Sequence, residues 1–115
     1  MAYDTKTADK IREYLNEIPD IEIAEKEMFR GLTFMVNGKM CVSVSGDKLM
    51  CRFDPLLHDG LSEEKGFQPM VMKGKELKGY CYVRPNGFET KKNFEFWLQL
   101  CLDFNEKAKS SKKKK

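Results

Sequence analysis

Asn37-Gly38 constrains this chain more than any other pair of residues, because it sits between two runs rich in apolar residues, Gly31 to Val36 and Lys39 to Val44. An Asn-Gly pair in that setting marks a two-residue hairpin turn whose central residues both take positive φ. Gly46-Asp47 is a second, weaker signal of the same kind. Together they predict three antiparallel strands over residues 28–53. With two central residues in each turn the register follows by counting: Val36 opposes Lys39, Met35 opposes Met40, Val44 opposes Leu49 and Val42 opposes Cys51. Strict alternation then puts Thr33, Met35, Met40, Val42, Val44, Leu49, Cys51 and Phe53 on one face, which should be the core. The other face would carry Phe34, Val36, Lys39, Cys41, Ser43, Lys48, Met50 and Arg52. Within it Phe34, Val36, Cys41 and Met50 form an apolar cluster that is a candidate interaction surface.

The flanking segments read as cover for this sheet. Ala8, Ile11, Leu15 and Ile18 recur at helical spacing over residues 4–18, with Asp4, Thr5 or Thr7 available to cap the start and Pro19 enforcing a stop. Residues 21–28 alternate partially and suit a charged edge strand. Asp54-Pro55 opens a short helix whose apolar side would be Leu56, Leu57 and Leu61. His58 within it reads as a surface or half-buried side chain. A strand over Gln68–Met72, a lysine-rich connection bracketed by Gly74 and Gly79, and a strand over Tyr80–Val83 form a second hairpin. A last helix from about Thr90 to Ala108 presents Phe94, Trp97, Leu98, Cys101, Phe104 and Ala108 in one arc. Phe96 and Leu100 fall outside that arc, four residues apart, and are the second candidate interaction surface. The predicted class is α+β, a two-layer sandwich of a mainly antiparallel sheet of five or six strands covered by helices, in the order α-(β)-β-β-β-α-β-β-α.

The ordered blocks Met28-Phe29-Arg30-Gly31-Leu32-Thr33-Phe34-Met35-Val36-Asn37-Gly38-Lys39-Met40-Cys41 and Asp47-Lys48-Leu49-Met50-Cys51-Arg52 resemble the TfoX (Sxy) N-terminal domain family. Gln68-Pro69-Met70, Lys78-Gly79-Tyr80-Cys81-Tyr82-Val83 and Trp97-Leu98 extend the resemblance over roughly residues 3–105. Arg30 stands where the family usually has a second glycine. The resemblance implies an architecture related to secretion-chaperone-like folds. It also implies association with the activation of competence genes alongside a transcription activator. It brings no catalytic residue. Full-length members carry a second, helical domain, and this chain is expected to be a stand-alone domain over residues 1–108, followed by a disordered lysine-rich tail at 109–115.

Charge divides the chain in two. Of its 21 basic residues, Lys107, Lys109, Lys112, Lys113, Lys114 and Lys115 supply six, and removing them leaves 15 against 18 acidic residues, a net charge of −3. The body is mildly acidic and the tail is a candidate nucleic-acid tether. Lys73, Lys75, Lys78 and Arg84 near Tyr80 and Tyr82 give a further, weaker basic and aromatic grouping. Cys41, Cys51, Cys81 and Cys101 lack the paired short spacings of a zinc site, so no metal or cofactor is expected, and reduced thiols are the expected state. No run of about 18 apolar residues and no secretory leader pattern is present, which makes a cytoplasmic protein without membrane contact the expectation.

Three functional classes remain open from the sequence. The first is a non-catalytic regulatory adaptor with a protein partner, transcription machinery or a second copy of itself. The second is a nonspecific nucleic-acid binder using the tail. The third is a small-ligand binder or an enzyme using Cys41, with Arg52 as the cation beside it.

Overall fold

Among the described residues six antiparallel strands build one sheet in the order β1-β2-β3-β4-β6-β5, and three α-helices lie against a single face of it. The computed structural model describes residues 3–28 and 31–105. In chain order the elements are α1 (Thr5–Asn16), β1 (Ile23–Met28), β2 (Gly31–Val36), β3 (Lys39–Ser45), β4 (Lys48–Arg52), a 3-10 turn (Pro55–Leu57), α2 (His58–Leu61), β5 (Phe67–Met72), β6 (Lys75–Val83) and α3 (Lys91–Asn105). This is the α+β two-layer arrangement that the sequence predicts. The lysine tail and the end of the predicted last helix lie outside the described residues, as do Phe29 and Arg30.

The turns form as their chemistry requires. Asn37 and Gly38 take φ values of 54° and 82°, the left-handed pair that closes a two-residue hairpin. Asn37 also clasps the chain entering β1. Its side-chain oxygen accepts from the Glu22 amide at 2.9 Å, and its own amide donates to the Glu22 carbonyl at 2.8 Å. Asp4 caps α1 by accepting from the Lys6 amide and the Thr7 hydroxyl, which satisfies donors that a first helical turn otherwise leaves open.

All four cross-strand pairs expected from the turns are present, yet the faces differ from simple alternation. Between Phe34↔Val42 and Met35↔Met40 the register shifts by one residue. Cys41 is the extra residue of a β-bulge, and such a residue breaks the strict two-residue period of its strand. Phe34 therefore pairs with Val42, and Leu32 with Val44. The helix-covered face carries Leu32, Phe34, Val36, Val42, Val44, Leu49, Cys51, Cys81 and Val83, all buried in one core cluster with Ile11, Leu15, Trp97, Leu98 and Cys101. Thr33, Met35, Met40, Ser43 and Met50 belong to the opposite face. The expectation that Thr33, Met35 and Met40 share the Val42 side is thus corrected, and so is the expectation that Phe34 and Val36 oppose it.

The second half departs in two further places. Lys75–Gly79 are part of β6, and the connection from β5 is only the Lys73-Gly74 turn, with φ values of 54° and 80°. The tight 3-10 turn points Leu56 and Leu57 to solvent, 90% and 46% exposed, and the inward position falls to His58. Only Leu61 of the three predicted leucines is buried.

Two glycines fix where α3 begins. A Cβ on Gly87 would lie 2.4 Å from the Lys65 carbonyl oxygen, and one on Gly66 would lie 2.7 Å from the Gly87 Cα. The two backbones touch, and the Gly87 carbonyl accepts from Trp97 Nε1 at 3.2 Å. From this anchor α3 packs across β3 and β4, and at its far end Asn105 Nδ2 donates to the Val36 carbonyl at 3.2 Å. At the sheet edges stand β1, with Glu25, Lys26 and Glu27, and β5, interrupted by Pro69.

Candidate functional sites

The two predicted apolar patches meet different fates. Phe34, Val36 and Cys41 are inside the core beneath the helices, and Met50, although on the other face, is covered by its neighbours. None of the four offers a contact surface. Leu100 is partly buried against the core. Phe96 alone is an exposed large apolar side chain, 42% accessible, with its ring 5.3 Å from that of Trp97 in an edge-on arrangement. Trp97 is locked by its bond to Gly87, so the Phe96 ring is braced from below. Leu56, Leu57, Val71 and Met72 are the other large apolar side chains exposed among the described residues.

The four cysteines converge under α3, which sequence spacing did not show. Cys51 and Cys81 are direct cross-strand partners, and all four are free and buried. The Cys51 thiol is held well above its ordinary pKa by contacts with Cys101 and Cys81 and by burial. Burial also pushes the Cys41 thiol up, Cys101 adds to the shift, and Arg52 opposes it only weakly. A thiolate is therefore disfavoured at both positions. The guanidinium of Arg52 lies instead near the rings of Phe104, at 5.7 Å, and Tyr80, at 5.9 Å. Among the described residues no group of three or more His, Cys, Asp or Glu side chains is placed to hold a metal ion.

His58 is fully buried rather than at the surface. Its Nδ1 accepts from the Gly79 amide at 3.3 Å, which leaves Nε2 to carry the proton and donate to Glu76 Oε1 at 3.3 Å. Phe53 stacks on the ring at 5.9 Å and Phe67 meets it edge-on at 5.5 Å. The imidazole pins α2 to β6. Its partner lies 18 residues away, and no local pattern announces the pair.

A groove of about 330 Å³ runs between α1 and the start of α3, floored by Tyr14, Phe88 and Phe94 and rimmed by Lys10, Glu13, Glu17, Glu89, Lys91 and Glu95. The Tyr14 hydroxyl donates to Gln99 Oε1 at 2.8 Å, and its pKa is raised by burial and by the carboxylates of Glu95 and Asp103. The rim mixes both signs of charge, and Thr90 completes the lining between Glu89 and Lys91.

On the helix-free face one row of paired residues crosses all six strands: Lys26, Thr33, Ser43, Met50, Tyr82 and Gln68. The Thr33 and Ser43 hydroxyls share a buried hydrogen bond of 2.6 Å. Lys48 Nζ lies 5.6 Å from the Tyr82 ring centroid. Of the lysines grouped with the tyrosines, Lys75 and Lys78 stand earlier on the same strand β6 and Lys73 in the turn before it, and Lys78 pairs with Asp59 at 3.1 Å. The candidate tail, Lys107, Lys109 and Lys112–Lys115, lies outside the described residues. No helix among the described residues is long and apolar enough to cross a membrane.

A family model described as the TfoX N-terminal domain matches residues 13–105, from the middle of α1 to the end of α3. No curated protein and no solved structure matches the chain.

Proposed function

Because this chain belongs to the TfoX N-terminal domain family, we propose that it is a non-catalytic adaptor that works through protein contacts, in regulation of the competence type, from a cytoplasmic location. The observation that carries this reading is the braced aromatic on α3. Phe96 is exposed yet held by Trp97, so a partner can bury it at small entropic cost, which is how aromatic anchors dominate protein interfaces. The cysteines support the same reading from the other side. Cys41, the candidate nucleophile, is buried with its thiol kept protonated, and the cation expected to activate it is held by two aromatic rings.

The test is Phe96→Glu in the full chain. Its unfolding midpoint should stay within about 0.5 kcal/mol of wild type, as for a surface change. Its capture of the transcription activator or polymerase, and any self-association seen by sedimentation, should fall by at least tenfold. Wild-type capture and wild-type mass from a normally folded variant would remove this helix as the contact surface.

A further inference from the structure

We propose that the helix-free face of the sheet is a platform for single-stranded nucleic acid, on which Tyr80 and Tyr82 stack bases while Lys26 and Lys48 neutralise phosphates. This site is separate from the helix surface assigned to protein contact.

The register places these residues together. Tyr80 and Tyr82 alternate along β6 and so share a face, about 7 Å apart at two residues' rise. Their partners on β4 are Arg52 and Met50, and Lys48 stands one pair further along the same face of β4. Both tyrosines already have a cation within 6 Å of the ring, an arrangement that keeps positive charge beside a π surface. Both are half-buried, which fixes the rings while leaving area for a ligand.

Charge is sorted between the two sides of the sheet. Along β1, Glu25 and Glu27 pair with Phe34 and Leu32 of the helix-covered face, whereas Lys26 pairs with Thr33 of the open face. The paired rows Ala24–Met35–Met40 and Lys26–Thr33–Ser43–Met50–Tyr82–Gln68, with Ser45–Lys48 beside them, hold only neutral or basic residues. The body of the chain is acidic, so these carboxylate-free rows are a local exception that suits an anionic polymer. The Thr33–Ser43 hydrogen bond settles the polar centre of the sheet and leaves recognition to stacking and charge. A sheet face without a protruding element enters no duplex groove. It presents aromatic faces that only unstacked bases can meet, which favours a single strand.

The experiment is fluorescence anisotropy with a labelled 12-nucleotide uridine RNA and, separately, its duplex with a complementary strand, at low and moderate salt. The proteins are the full chain and a full-length variant with the six tail lysines changed to Gln. Both should prefer the single strand to the duplex. Tyr80→Leu and Tyr82→Leu should each weaken binding about 5- to 100-fold, the effect of losing one stacked base. The pair Lys26→Gln and Lys48→Gln, which leaves the rings in place, should lower affinity and flatten its salt dependence. The proposal is overturned if folded tyrosine variants bind like wild type, if duplex binds as tightly as single strand, if binding vanishes with the tail lysines alone, or if neither chain binds. Binding of anionic vesicles but not of RNA would assign the face to a membrane surface and overturn it equally.

Discussion

The two faces of this sheet come from the same six strands and behave as different materials. The covered face is filled by Leu32, Phe34, Val42, Val44, Leu49 and Val83 against three helices. The open face holds methionines, tyrosines, hydroxyls and cations, with burial only at its centre. One extra residue, Cys41, decides which set Phe34 and Val36 join. Without the bulge the same pairs of residues near the turn would send both to the open side.

The largest test of that difference is truncation on each side of the bulge. Phe34→Ala should cost about 3–5 kcal/mol, the range for an aromatic removed from a packed core. Met35→Ala, its neighbour on the open face, should cost about 1 kcal/mol or less. Urea midpoints would measure both, and equal losses would mean that the face assignment is wrong.

The second test uses the thiols, which lie under α3. The folded pKa values of Cys41 and Cys51 are raised above the ordinary thiol value of 9.0. The folded state therefore holds protons that the unfolded state releases. Stability is full below about pH 9 and falls as pH rises past it, by about 1.4 kcal/mol per thiol for each further unit. Cys51→Ala should shallow that alkaline limb. An unchanged limb in the variant would exclude the buried thiol as its source.

The last test belongs to the centre of the open face. Thr33→Val leaves the buried Ser43 hydroxyl without its partner and should cost about 1–2 kcal/mol, whereas Thr33→Val with Ser43→Ala should recover most of it. Additive losses across that cycle would show that the 2.6 Å contact carries no coupling.

Turn chemistry makes the meander legible in the sequence. Asn37-Gly38 and Gly46-Asp47 dictated the strands and all four pairs nearest the turns, and apolar spacing located α1 and α3. The bulge was not legible, because Met40-Cys41-Val42 contains no glycine or proline to mark an unpaired residue, and alternation carried through it put Phe34 and Cys41 on the wrong side. The exposed leucines have a similar origin. A 3-10 turn advances 120° per residue instead of 100°, so helical spacing misjudged which of Leu56, Leu57 and His58 points inward. Phe96 was identified from its position outside the α3 arc, while Leu100, read with it, leans back onto the core. The convergence of four cysteines and the pairing of His58 with Glu76 are long-range consequences of strand order, which local periodicity does not encode.

The edges of the sheet carry a further consequence. Pro69 offers no N–H to a strand arriving at β5, and a strand arriving at β1 would meet an alternating row of Glu25, Lys26 and Glu27. Neither border of the described six-stranded sheet offers an extra strand a smooth edge to pair with, a feature that discourages edge-to-edge growth between copies of the chain.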